Sequence, residues 1–86
     1  MYNIIELFIK NLKKEQIKEF AIKKGANLSD EELDFTYNFI KNNYSQVLRN
    51  PDSYNLNLYK DHYSPKNFLI IQEIIDEYYQ KFKIYL

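Results

Sequence analysis

From Phe68 onward the chain carries apolar side chains at Ile71, Ile75, Tyr78, Phe82 and Tyr85, alternating spacings of three and four. That rhythm returns every one of them to the same face of a helix and scatters them over both faces of a strand. Ile70 and Ile74 add a second apolar edge. A helix with so wide an apolar face has to be covered, either by the rest of its own chain or by a second one. Its start is marked by Ser64–Pro65. Serine caps, and proline suits the first turn because the N–H it lacks would have had no partner there. Tyr63 and Phe68 stand at the two positions of a hydrophobic staple around that cap. The pattern predicts a helix from Pro65 to about Lys83 that forms the spine of the fold.

The same period runs through most of the remaining chain. Ile4, Ile5, Phe8, Ile9 and Leu12 share one face, and Ile17, Phe20 and Ala21 share another. Asn11 separates the two runs, and the second helix is expected to start near Lys13. Gly25, the only glycine, follows Lys23 and Lys24 and reads as a helix stop. Ser29 and Glu32 have capping-box spacing, with Leu28 and Leu33 at the staple positions. A third helix is predicted from Asp30 at least to Asn43, with a stripe of Leu33, Tyr37, Ile40, Tyr44 and Val47 widened by Phe35 and Phe39. Asn42 and Asn43 are poor helix formers and mark a bend or an end. Pro51 limits any extension to Asn50. Tyr54, Leu56 and Leu58 alternate as an extended segment would, whereas Leu58, Tyr59 and His62 share a helical face. A loop and then a short helix from about Asn57 is the preferred reading. The expectation is an all-α single domain over residues 1–86: a small bundle of four to five helices with a long C-terminal helix.

A chain of 86 residues supports one domain, and its 45% apolar and 28% charged residues are ordinary for a globular protein. The chain has no cysteine, which excludes disulfides, thiolate metal sites and cysteine nucleophiles together. One glycine cannot build a phosphate-cradling loop. The unbroken apolar run Phe68–Ile71 is far shorter than the roughly 20 residues that span a bilayer. Glu6 and the absence of a basic leader argue against a secretory signal, so a cytoplasmic protein without membrane contact is expected.

Net charge is zero but unevenly spread. Lysines crowd the first two helical runs, and acidic residues crowd the start of the third. The simpler account is the helix macrodipole: Lys23 and Lys24 lie at a negative C-terminus, and Asp30, Glu31, Glu32 and Asp34 at a positive N-terminus. The sharper account is an anion-binding patch of Lys10, Lys13, Lys14 and Lys18, diluted by Glu15 and Glu19. A helix-turn-helix layout is visible around Gly25. The residues that would face bases are Asp30, Glu31 and Glu32, which DNA phosphates would repel. Tyr78 and Tyr85 lie in the apolar register and read as core, whereas Tyr79 lies off it and reads as a surface contact. His62, the lone histidine, has no metal-ligand partner beyond Asp61. Glu73, Asp76 and Glu77 form a solvated helix edge rather than a catalytic pair.

In the run from Leu12 to Ser29, Gly25 ends one helix and Ala26–Asn27–Leu28–Ser29 enters the next, and Ser64–Pro65 opens the last; this is one layout. It resembles the YqfT-like family, short proteins of Bacillota built on a domain of unknown function. The resemblance implies an all-helical cytoplasmic protein and carries no functional residues.

These readings together predict a non-enzymatic helical module acting through protein contacts, with another protein or with a second copy of itself. Ile70, Ile74 and Tyr79 on the last helix are the candidate interface. The alternative is nucleic-acid or anion binding through Lys10, Lys13, Lys14 and Lys18. No catalytic, cofactor or metal residues are expected.

Overall fold

A computed structural model describes residues 2–50 and 55–85. Four α-helices, α1 (Tyr2–Asn11), α2 (Lys14–Lys23), α3 (Asp30–Arg49) and α4 (Pro65–Phe82), are joined by a 3-10 turn at Leu56–His62 and closed by another at Lys83–Tyr85. The described residues contain no strand, so the all-α expectation is the fold. The readings of Pro51 and Tyr54 lie outside the described residues.

The α1–α2 boundary falls where Asn11 suggests. The Asn11 side-chain amide turns back onto the Leu7 carbonyl (2.9 Å), and α2 starts one residue beyond Lys13. Lysine has no side-chain acceptor for a cap, so only half a capping box forms there: the Lys13 N–H donates to the Gln16 side chain (2.8 Å). Gly25 closes α2 at φ 91°. Its N–H bonds the Ile22 carbonyl (2.9 Å), and the Ala26 N–H reaches back to Ala21 (2.8 Å), the double bond of a Schellman stop. Ala21 and Ala26 are both buried at that junction.

α3 does not end at Asn42–Asn43 but runs unbroken to Arg49. The Asn43 amide folds onto the Phe39 carbonyl (3.0 Å), and burial of Val47 and Leu48 in the following turn outweighs the weak propensity of the two asparagines. The short helix expected from about Asn57 is present as the 3-10 turn Leu56–His62, started by the Asn55 side chain accepting from the Asn57 N–H (3.0 Å).

α4 is the centre of the assembly. It packs against α2, α3 and both 3-10 turns. Phe8 of α1 also lies against its Phe82 ring, with centroids 4.9 Å apart. Ile71 and Ile74 are fully enclosed, with Phe68, Ile75 and Phe82 nearly so. Its wide apolar face is therefore covered by the protein's own helices. One continuous core joins Ile5 and Ile9 of α1, Ile17 of α2, Phe39 and Ile40 of α3, and the α4 residues. A residual cavity of about 40 Å³ remains among Ile9, Ile40, Val47, Ile75 and Tyr79, far below the roughly 300 Å³ at which small-molecule pockets begin. No described helix is long and apolar enough to cross a membrane.

Candidate functional site

The first turns of α3 and α4 meet, and Glu32 lies between them. Ser29 caps α3: its hydroxyl accepts the Glu32 N–H (3.1 Å), and the Glu32 carboxylate accepts the Ser29 N–H (2.8 Å), completing the expected capping box. The other carboxylate oxygen accepts the N–H of Ser64, the cap of α4 (2.8 Å). Asn67, at the third position of α4, donates its side-chain amide to Glu32 (2.9 Å) and to the Asn27 carbonyl (3.2 Å). An acidic or amide side chain at that third position usually reaches back to its own cap. Here Glu32 does so from another helix. Burial alone would raise the pKa of this 6% exposed carboxyl; the N–H groups of Ser29 and Ser64 and the Asn67 amide outweigh that and hold it below its ordinary value.

Beneath this junction Thr36, fully buried, donates to the Glu32 carbonyl (2.8 Å) and shares a hydrogen bond with the Tyr63 hydroxyl (2.6 Å). Burial pushes the Tyr63 phenol up to about 12, opposed by the Thr36 hydrogen bond and reinforced by the Glu32 charge. The Tyr63 ring packs on Phe68 as the staple spacing predicts, with centroids 6.0 Å apart. These groups hydrogen-bond one another across the two helices, so the cluster is an architectural joint between α3 and α4.

An aromatic group sits alongside. Phe35 of α3 touches Tyr59 (5.6 Å), His62 (3.9 Å, stacked) and Tyr63 (5.9 Å), and Phe39 meets Tyr59 at 5.3 Å. His62 is thus a ring lying on a ring. Among the described residues no three histidine or carboxylate side chains converge as metal ligands would. Between α3 and the 3-10 turn Phe35, Phe39 and Tyr59 wall an open cavity of about 220 Å³, completed by the carboxamides of Asn38, Asn42 and Asn43. Sequence reasoning missed this groove. Phe35 with Phe39 and Asn38 with Asn42 show the four-residue spacing that puts each pair on one side of α3, but nothing local announces that Tyr59 folds over them.

The sequence-predicted interface residues do not form one surface. Ile74 is fully buried and belongs to the chain's own core, which removes it as a contact for a partner. Ile70 and Tyr79 are half-buried and pack against that core. The four candidate anion contacts are also divided. Lys14 is held by Asp34 (2.6 Å), which raises its pKa, and lies over the Tyr37 ring. Lys10, Lys13 and Lys18 are exposed, with the Lys10 carbonyl accepting from Lys41 (3.0 Å). Lys24 serves more than the helix dipole: it pairs with Glu77 (2.6 Å) and reaches Glu73 (3.8 Å), pinning the end of α2 to α4. The edge containing Glu73 and Glu77 is therefore not merely solvated. In the first turn of α3, Glu32 is tied to α4, whereas Asp30 and Glu31 remain exposed.

Comparison with known protein families, with curated proteins and with solved structures finds no match to this chain.

Proposed function

We propose that the protein is a non-enzymatic helical interaction module that receives a segment of another protein in the groove between α3 and the Leu56–His62 turn. The observation that carries this reading is the groove itself: a 220 Å³ opening with the partly buried rings of Phe35 and Tyr59 as walls and carboxamides along one side. Aromatic side chains concentrate, and charges are depleted, at the centres of protein interfaces. An asparagine amide offers a donor and an acceptor, which matches the two needs of a peptide group. The volume suits one or two side chains rather than a whole small molecule. Self-association through α4 loses its motive, since the α4 face is already covered.

The test replaces Asn38 and Asn42, both solvent-facing, with arginine, which fills the groove without entering the core. Proteins retained from the native cell by the wild type and not by Asn38→Arg/Asn42→Arg are purified and titrated. Binding weakened at least tenfold is expected. A partner bound equally by both forms, or none at all, defeats the reading.

A further inference from the structure

A second surface has different physics. On α1 the buried residues Ile5 and Ile9 define one side, and Ile4 and Leu7 project from another, 52% and 59% exposed. The closing 3-10 turn packs against α1 and carries Ile84, 74% exposed. Three large aliphatic side chains therefore stand in water on two adjoining elements. The other exposed aliphatics, Ile22, Leu58 and Leu69, sit on three separate elements, as single exposed apolar residues commonly do.

Lysines lie on the segments that carry or adjoin these side chains. Lys10 follows Leu7 by three residues, one helical turn away. The Lys41 ammonium reaches the Lys10 carbonyl at the end of α1. The Lys81 ammonium lies 5.8 Å from the Phe8 ring, and Lys83 precedes Ile84. Among the described residues none of these four lysines forms an ion pair. Glu6 is the one acidic residue of α1.

We propose that Ile4, Leu7 and Ile84, together with the lysines of the adjoining segments, seat the protein on an anionic lipid surface. Two alternatives fit less well. In an isologous dimer a two-fold axis would bring each copy's lysines against those of the other, a like-charge contact that opposes assembly. A protein partner is disfavoured by composition, because lysine is depleted at protein interfaces, where aromatic residues and arginine replace it. Ile4, Leu7 and Ile84 line neither of the two cavities described above. Projecting aliphatic side chains enter the boundary between headgroups and acyl chains, while lysines bind the negative surface above it. This inference goes beyond the groove and uses none of its residues.

The experiment is flotation with vesicles of phosphatidylcholine alone and of phosphatidylcholine with about one-third phosphatidylserine, near 0.1 M salt. Each lysine close to such a surface strengthens binding about five-fold, so loss of the Lys81 and Lys83 charges predicts a drop of about 25-fold or more for Lys81→Glu/Lys83→Glu. Wild-type protein should float with the serine-containing vesicles and stay in solution with the neutral ones. Leu7→Glu, with unchanged helical circular dichroism, should also lose binding, whereas Asn38→Arg/Asn42→Arg should float like the wild type. Absence of wild-type flotation, equal flotation with neutral vesicles, or insensitivity to the lysine variants overturns the proposal. A wild-type dimer that Leu7→Glu converts to monomer overturns it in favour of a second copy.

Discussion

Glu32 accepts hydrogen bonds at the starts of two helices, so its loss is felt by both. In Glu32→Gln one acceptor oxygen becomes a donor amide facing the Ser29 or Ser64 N–H. A buried donor left unsatisfied costs about 1–3 kcal/mol. A destabilisation of about 2 kcal/mol at pH 7 is expected in urea unfolding, equivalent to a Tm lower by roughly 8–16 °C. The native pKa lies below the ordinary 4.5, so the carboxylate's contribution is complete above 4.5 and lost as pH falls through the lower native value. The gap between wild type and Glu32→Gln should therefore narrow in acid. A gap independent of pH would refute the shared cap. Tyr63 behaves in the opposite sense. Its phenol is raised from 10.0 to about 12, so its stabilising effect is complete below 10.0 and lost as pH rises through about 12. In ultraviolet titration, Tyr63→Phe should remove a step that ionises near pH 12. The Ser29–Glu32 half of this joint is legible in the sequence because the partners are three residues apart. The Glu32–Ser64 half is not, since 32 residues separate the partners.

At the scale of elements, stops and starts were the most readable features. Gly25→Ala tests one of them. A Cβ there would meet no atom within 4 Å, so the whole cost is backbone strain at positive φ. That strain is worth about 1–2 kcal/mol, and Gly25→Asn should recover part of it, because asparagine tolerates the left-handed state better. Equal loss for Ala and Asn in chemical denaturation would place the cost elsewhere. Propensity was weakest as a guide inside α3. Asn42 and Asn43 carry a local preference of a few tenths of a kcal/mol each against the helix. Val47 and Leu48, buried one turn later, repay that several times over.

Across the whole molecule, α4 shows how one helix is divided between core and solvent. Ile74→Ala should cost about 2–5 kcal/mol, since it opens a cavity at a fully enclosed site. Leu69→Glu, on the same helix at a 64% exposed position, should change stability by less than about 0.5 kcal/mol. Thermal unfolding followed at 222 nm distinguishes them; similar effects would mean that α4 is not the centre of the core. The radius of gyration, 12.4 Å, matches the roughly 12 Å of a single compact domain of this length. The amino-acid sequence by itself determined the helices, their caps and the glycine stop, because those follow from side-chain spacing and from hydrogen bonds that close within one turn. Only the tertiary structure decided that Ile74 faces inward, that Lys24 spans to Glu77, that Glu32 serves α4 and that Tyr59 closes a groove on Phe35. Each of these joins residues distant along the chain, and a helix with apolar side chains around more than half its girth does not itself say which neighbour will cover which part.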